Sequence, residues 1–312
     1  MIQVFHDLTQ VIAAYRGGAI AIGNFDGVHK GHTAVIQAAA AAARGRGVNL
    51  GVLTFEPHPR SVLARNDSPF RLTDWRGKAR GLEKLGVDFM AICKFDMDLA
   101  ALTAEDFVQN VLVEGLGVCH VAVGEDFQFG KDRAGNTGFL LEAGKRYDFD
   151  VTSVPAMAGS DGIVFSSSAV RAALGKGDVI RANELLGRPW EIEGVVTHGD
   201  KRGRTIGFPT MNIYLGDLTR PALGVYVVEA KFEDGERWIG GVANLGLRPT
   251  VGGEDERLEV HLFDFDKDVY DKPARIRFLN FVRPEKKFES FEALKEQIVQ
   301  DAIVARAYLE TH

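Results

Sequence analysis

Residues 19–44 read AIAIGNFDGVHKGHTAVIQAAAAAAR, and the fold follows from how that stretch divides. Ala19 to Gly23 is a short apolar run closed by glycine, the pattern of a buried strand. A turn follows from Asn24 to Gly31, with Gly23, Gly27 and Gly31 as its glycines and His29 and His32 as a histidine pair. From Thr33 to Arg44 nearly every residue is a strong helix former. Strand, glycine turn and helix together offer backbone N–H groups and a positive helix end to an anion such as a phosphate. Gly23, Asn24, Phe25, Asp26, Gly27 and Gly31 are therefore expected to line a phosphate-binding turn. Imidazoles at H-x-G-H spacing can donate to charge that builds on a phosphate oxygen during displacement, which gives His29 and His32 a catalytic reading. Two solvated loop histidines are the plainer alternative, and GNFDGVHKGH is a richer pattern than they require.

The stretch resembles the H-x-G-H signature of the nucleotidyltransferase superfamily, whose members move an adenylyl or cytidylyl group onto a phosphate. In its fuller form, GNFDGVHKGH resembles the bacterial bifunctional riboflavin kinase/FMN adenylyltransferases, or FAD synthetases.

The remainder of the chain bears on that resemblance. At 312 residues it is long enough for two domains, and 46% hydrophobic with 26% charged residues is ordinary for a soluble globular protein. The formal charge is −6 with no basic block, which disfavours nucleic acid and anionic membranes as partners. Cys93 and Cys119 sit in apolar runs without metal-ligand spacing, and no stretch reads as a leader or a spanning helix. A reduced, cytoplasmic setting is expected.

In the first half, apolar runs at Ala19–Gly23, Leu50–Phe55, Phe89–Lys94, Val118–Val123 and Phe149–Val154 alternate with helical segments. Thr73 opens a run to Leu85 with Gly86 as stop, and Thr103 with Asp106 opens one to Glu114 with Gly115 as stop. This alternation predicts a doubly wound parallel α/β sheet with ligands at the carboxyl ends of its strands. Further motifs fall after those strands. Glu56-Pro57-His58-Pro59 is a rigid turn suited to a flat ligand, or a turn and nothing more. Gly124 to Gly130 sets Asp126, Phe127 and Phe129 together, which suits a heteroaromatic ring beside phosphates, although Phe127 reads better as loop packing. Ser166-Ser167-Ser168 with Arg171 opens a short helix that ends near Gly175. There Ser167, Ser168 and Arg171 can hold phosphate, and capping alone would account for one serine. The resemblance extends through all of these motifs in order. It implies an adenylyltransferase module over residues 1–183, with His58, Pro59, Asp126 and Phe129 at the flavin. Phe165 stands where the family commonly has isoleucine.

Beyond about residue 184, short alternating runs with turn signals predict a small antiparallel β-barrel followed by a terminal helix. The runs are Trp190–His198, Gly207–Tyr214, Gly224–Phe232, Arg237–Ala243, Leu258–Phe265 and Ala274–Phe281, and the helical stretch Phe288–Leu309 has Ser290 as its N-cap. In Gly199 to Asn212, glycines and basic residues can wrap a polyphosphate, with Gly203, Arg204, Thr205, Gly207, Phe208 and Pro209 expected there. Thr210 and Asn212 project to one side of a strand and can hold Mg²⁺ with ATP phosphates; a hairpin with an incidental Thr/Asn pair is the alternative. Glu259 shares a strand face with His261, and from periodicity alone it reads as a solvated edge residue. Gly203–Asn212, Gly241–Thr250 and Glu259-Val260-His261 are similar to the family's riboflavin kinase marks, with Met211 for the usual alanine and Val251 where phenylalanine is frequent. The resemblance implies a kinase module over residues 184–312 with Glu259 as base. The substrates it implies are riboflavin, FMN and ATP.

Overall fold

The computed structural model describes every residue except 65–67, 199–207, 234, 236, 251 and 252, and at 247–250 and 253–255 it describes the backbone alone. The chain forms two compact units, one made of Met1–Ser68 and Trp75–Ser166 and the other of Pro69–Asp74 and Ser167–His312.

The first unit is built on a sheet of β1 (Gln3–Phe5), β2 (Ala19–Ile22), β3 (Leu50–Glu56), β4 (Phe89–Lys94), β5 (His120–Gly124) and β6 (Asp150–Val154). All neighbours are parallel, in the order β1-β4-β3-β2-β5-β6. Strand side chains alternate between two cores. Ile20, Ile22, Leu53, Phe55, Phe89 and Val121 face one of them, with Val108 and Leu112 from the helical turns Phe107–Leu116. Ala19, Ala21, Val52, Met90 and Ala122 face the other, under α1 (Lys30–Arg46) and α3 (Trp75–Glu83), α2 being the short turn Pro59–Leu63. Both faces are covered, so the sheet is doubly wound as the alternation predicts. Chain order reverses its direction of travel between β2 and β5, which places a crevice at the carboxyl ends of those two strands.

Sequence and structure differ at several ends. The helix α1 begins at Lys30 rather than Thr33, because His29 is its N-cap: its ring Nδ1 accepts from the His32 amide at 3.3 Å. Met97–Ala101 (α4) precedes Ala104–Asp106 (α5), which runs on into Phe107–Leu116. Thr103 is the expected cap: its Oγ1 accepts from the Asp106 amide at 3.1 Å and donates its own proton to the Asp106 carboxylate at 2.6 Å. That segment passes through Gly115 and stops at Gly117, whose φ of +59° is the left-handed conformation a helix end requires. Thr137–Tyr147 (α6) precedes β6.

In the second unit α7 (Ser167–Gly175) and α8 (Val179–Leu186) lead into a closed antiparallel barrel. Its strands are β7 (Trp190–Thr197), β8 (Met211–Ile213), β9 (Gly224–Phe232), β10 (Ile239–Thr250), β11 (Gly253–Leu262) and β12 (Pro273–Pro284), in the order β10-β11-β8-β7-β12-β9. Met211, Ile213, Leu245, Leu258, Val260, Ile276 and Phe278 are buried on the inner face. The terminal helix α9 (Phe291–Thr311), capped by Ser290 as predicted, lays Ala302 and Ala305 on the outer-face residues Val225, Val227 and Val242.

Candidate active sites

The loop after β2 lies at the crevice. Phe25 and Val28 hold positive φ of 48° and 46°, and Phe25, Asp26 and Val28 are all buried, so packing fixes this loop in a conformation such residues seldom adopt. The loop delivers His29 to the start of α1. His29 is buried and His32 half-buried, and their rings stack at 3.6 Å with Phe25 edge-on to His32 at 5.1 Å. Since His29 Nδ1 accepts from the His32 amide, a neutral His29 carries its proton on Nε2. No acidic residue stands in the first turn of α1, while Arg44 and Arg46 occupy the last. No carboxylate of the helix itself thus offsets the positive end of the dipole beside the two imidazoles. Gly31 must be glycine here, because a Cβ would sit 2.7 Å from the Phe165 carbonyl oxygen and 3.1 Å from the His29 ring.

Two further loops rise from strand ends of the same sheet. His58 caps α2 through Nδ1, which accepts from the Arg60 amide at 3.1 Å, and Pro59 opens that turn. After β5, Asp126 is exposed, and Phe129 is buried against Phe107, Phe127 and Phe139 at ring separations of 5.2, 5.5 and 6.0 Å. Ser167, Ser168 and Arg171 begin α7 in the second unit, where the Arg171 Nε donates to the Phe70 carbonyl at 2.5 Å.

The second constellation is a polar row on the outer face of the barrel. Register places Asn244 opposite Glu259, Glu259 opposite Asn212, and Asn212 opposite Thr197. Directly opposed residues in antiparallel strands share a face with Cβ atoms about 4.5–5.5 Å apart. Thr197 Oγ1 donates to the Asn212 carbonyl at 3.3 Å. Asn212 is 2% exposed, and among the described residues its buried side-chain Oδ1 has no hydrogen-bond partner. A buried acceptor left unmade is costly, which marks a position for a missing donor or cation. Phe208 packs on the apolar cluster beneath α9, and its ring meets His261 at 4.9 Å. His261 Nδ1 donates to the Pro209 carbonyl at 2.9 Å. Burial holds the His261 imidazole below its ordinary pKa, with that hydrogen bond pulling the other way. The expected phosphate residues Gly203, Arg204, Thr205 and Gly207 lie outside the described residues.

Sequence reasoning passed over Asn244 and Thr197. Their signal was weak: a lone polar residue in an apolar run means little until register sets it opposite Glu259 or Asn212. It also passed over Lys78, a buried cation under the first site.

The FAD synthetase family model matches residues 12–169 and the riboflavin kinase family model residues 186–309. The chain is 43% identical over 308 residues to the bifunctional riboflavin kinase/FMN adenylyltransferase of Escherichia coli K12, covering 99% of this chain and 97% of that one. It is 40% identical over 311 residues to the Haemophilus influenzae protein of the same name, covering 100% and 99%. A solved Streptococcus pneumoniae structure described as a macrolide-efflux protein superposes with a TM-score of 0.85 at 31% identity, covering 98% and 99%. That description is of an exporter, and among the described residues here no helix is long and apolar enough to cross a membrane. With two family models spanning nearly the whole chain and full-length relatives at 40–43% identity, the chain belongs to the bifunctional riboflavin kinase/FMN adenylyltransferase family.

Proposed function

We propose that the polypeptide phosphorylates riboflavin and then adenylylates the product, with one site in residues 184–312 and the other in residues 1–183. The ranges of the two family models support that division. The observation that carries the reading is the row Asn244–Glu259–Asn212, whose chemistry suits phosphoryl transfer to a hydroxyl.

At the barrel, the 5′-hydroxyl of riboflavin attacks the γ-phosphate of ATP; Glu259 accepts its proton, and FMN and ADP leave. Asn212 Oδ1 and the Thr210 hydroxyl are hard oxygen donors. The orphaned Oδ1 fits Mg²⁺, which takes few protein ligands and keeps phosphate oxygens or water for the rest. Bound there, Mg²⁺ would neutralise phosphate charge. Gly203, Arg204, Thr205, Gly207, Phe208 and Pro209 would wrap the triphosphate of that ATP.

At the parallel sheet, an FMN phosphate oxygen attacks the α-phosphate of a second ATP, forming FAD and releasing pyrophosphate. The Nε2–H of His29 and the ring of His32 stabilise charge on the phosphate oxygens, aided by the amides of residues 24–27 and 31 and the α1 dipole, with Gly23 lining the turn while its own amide stays on the Leu53 carbonyl. Ser167, Ser168 and Arg171 hold phosphates. His58, Pro59 and Asp126 face the flavin, with Phe129 holding the Asp126 loop down. The cytoplasm is the compartment we assign, in keeping with two free cysteines.

Incubation with riboflavin, ATP and Mg²⁺ followed by separation of the flavins tests the scheme. Both FMN and FAD are expected. Glu259→Ala should stop FMN formation yet spare FAD formation from supplied FMN, and His29→Ala with His32→Ala should do the reverse. Loss of both activities in either variant would overturn the assignment of separate sites.

A further inference from the structure

Lys78 sits on α3 with its side chain 2% exposed. Its Nζ donates to Thr54 Oγ1 and to Glu56 Oε1, both at 3.0 Å. Thr54 is fully buried and in turn donates its hydroxyl proton to the Asn24 carbonyl at 3.1 Å. Thr54 and Glu56 are two apart at the carboxyl end of β3, so one ammonium reaches both from the same face. Enclosing a lysine is expensive unless it is paired, and an apolar side chain of like length would serve folding as well. What the lysine adds is direction: a chain of donors running from α3 through β3 into the loop after β2.

That loop is the one in which Phe25 and Val28 hold positive φ and which ends on the His29 cap. Gly23 is tied to β3 by its amide, which donates to the Leu53 carbonyl at 3.1 Å, and the Asn24 carbonyl is held by Thr54 one residue later. These two bonds anchor the loop just ahead of its strained turn. The same ammonium neutralises Glu56, whose carboxylate would otherwise stand at the strand end toward which the triphosphate must come.

We propose that Lys78 is a positioning residue for adenylyl transfer, acting through Thr54 on the backbone of Asn24 and so on the placement of His29 and His32. The inference rests on the histidine reading given above. A shift of about 1 Å in a catalytic group costs on the order of 100-fold in rate, which sets the expected effect.

Two substitutions at Thr54 separate hydrogen bonding from packing. Thr54→Val keeps the volume and loses the hydroxyl, while Thr54→Ser keeps the hydroxyl and loses a methyl. In the full chain, with FMN, ATP and Mg²⁺ supplied, Thr54→Val and Lys78→Met should each lower kcat for FAD formation roughly 100-fold. Thr54→Ser should stay within about threefold of the parent, and the Val/Met double variant should be no worse than Lys78→Met alone. Riboflavin phosphorylation by the same samples should be unchanged. Thr54→Ser falling below Thr54→Val would show a packing role, and a double variant falling by the product of the singles would show independent roles; either overturns the proposal. If Lys78→Met does not fold, the Thr54 pair decides alone. His29→Ala separates the two readings: FAD formation that survives it removes the histidine assignment itself. Its loss alongside an unaffected Thr54→Val removes the Lys78 proposal and nothing else.

Discussion

A buried ion pair helps hold α9 to the barrel beside the apolar contacts of Ala302 and Ala305 and the exposed pair Arg306–Asp264, and Asp301→Ala tests its worth. Arg283 on β12 grips Asp301 on α9 through Nε, at 2.9 and 3.1 Å from the two carboxylate oxygens, and through Nη2 at 2.7 Å. Gln297 adds a bond to Oδ1 at 3.0 Å, and the side chains are 20% and 6% exposed. Removing one member of a buried pair strands the other charge, at a cost of about 3–5 kcal/mol. Because a fifth of Arg283 reaches water the lower end applies, and alanine returns about 0.5 kcal/mol of helix propensity over aspartate, leaving ~2.5 kcal/mol. This is close to two decades in the unfolding equilibrium. The assay is urea unfolding followed by tryptophan fluorescence in a Trp75→Phe background, where the remaining Trp190 and Trp238 both report on the second unit. Replacing both partners by leucine should recover most of the loss, since apolar substitution of a whole buried pair is often neutral or better. A cost below about 1 kcal/mol for Asp301→Ala, or a double leucine variant no more stable than the single one, would refute the reasoning.

Gly31→Ala should reduce FAD formation on the order of 100-fold and leave riboflavin phosphorylation intact, because the new methyl must displace either the Phe165 carbonyl or the His29 ring; a flavin-product assay reads both. His261 has its pKa depressed chiefly by burial. Below about pH 6.5 the unfolded chain therefore takes up a proton that the folded one resists, and stability falls as pH drops. His261→Gln should flatten that acid-side loss in second-unit stability, measured by urea unfolding at pH 7 and at a mildly acid pH. Burial pushes the Cys93 thiol up to about 12, so at pH 8 only about one in ten thousand is thiolate, and Cys119 is partly exposed. Iodoacetamide on the native chain should label Cys119 alone by peptide mass mapping, with Cys93 reacting only after unfolding.

Local pattern carried β2, β3 and β4 because each is buried on both faces and reads as a largely apolar run. It missed β1, three residues at the sheet edge with too little sequence to show a period. It misplaced the start of α1 because histidine and glycine are poor helix formers, and only the fold shows the His29 ring doing the work of a cap. The barrel strands were legible from alternation. Closure and register were not, since both depend on pairings far apart in sequence, and register is what turns Asn212, Asn244 and Glu259 into neighbours. The segment Pro69–Asp74 was equally hidden: its bonds run to distant partners, Leu72 accepting from the Trp190 indole at 2.9 Å and Arg71 from the Thr219 amide at 2.7 Å. Buried Lys78 could not be told from a solvated helix lysine, because periodicity on α3 says nothing of an ammonium that ends beneath a neighbouring strand.

The proposed chemistry accounts for why two phosphate-handling sites on one chain use such different side chains. A sugar-alcohol hydroxyl is neutral at physiological pH and gains a proton-accepting partner from a carboxylate, so the barrel row centres on Glu259 with amide and hydroxyl oxygens beside it. A phosphate monoester has a second pKa near 6 and reaches its reaction already anionic. For that nucleophile a base has nothing to remove; what the site must supply is tolerance of two polyanions in contact. Imidazole N–H groups and the amino end of α1 suit that need, and a free carboxylate would oppose it. Glu56 stands at the end of β3, where the structure pairs it with a buried lysine. The pairing of Glu56 is therefore best understood as part of the electrostatics at the carboxyl end of β3, where Lys78 offsets a charge that would face an incoming polyanion.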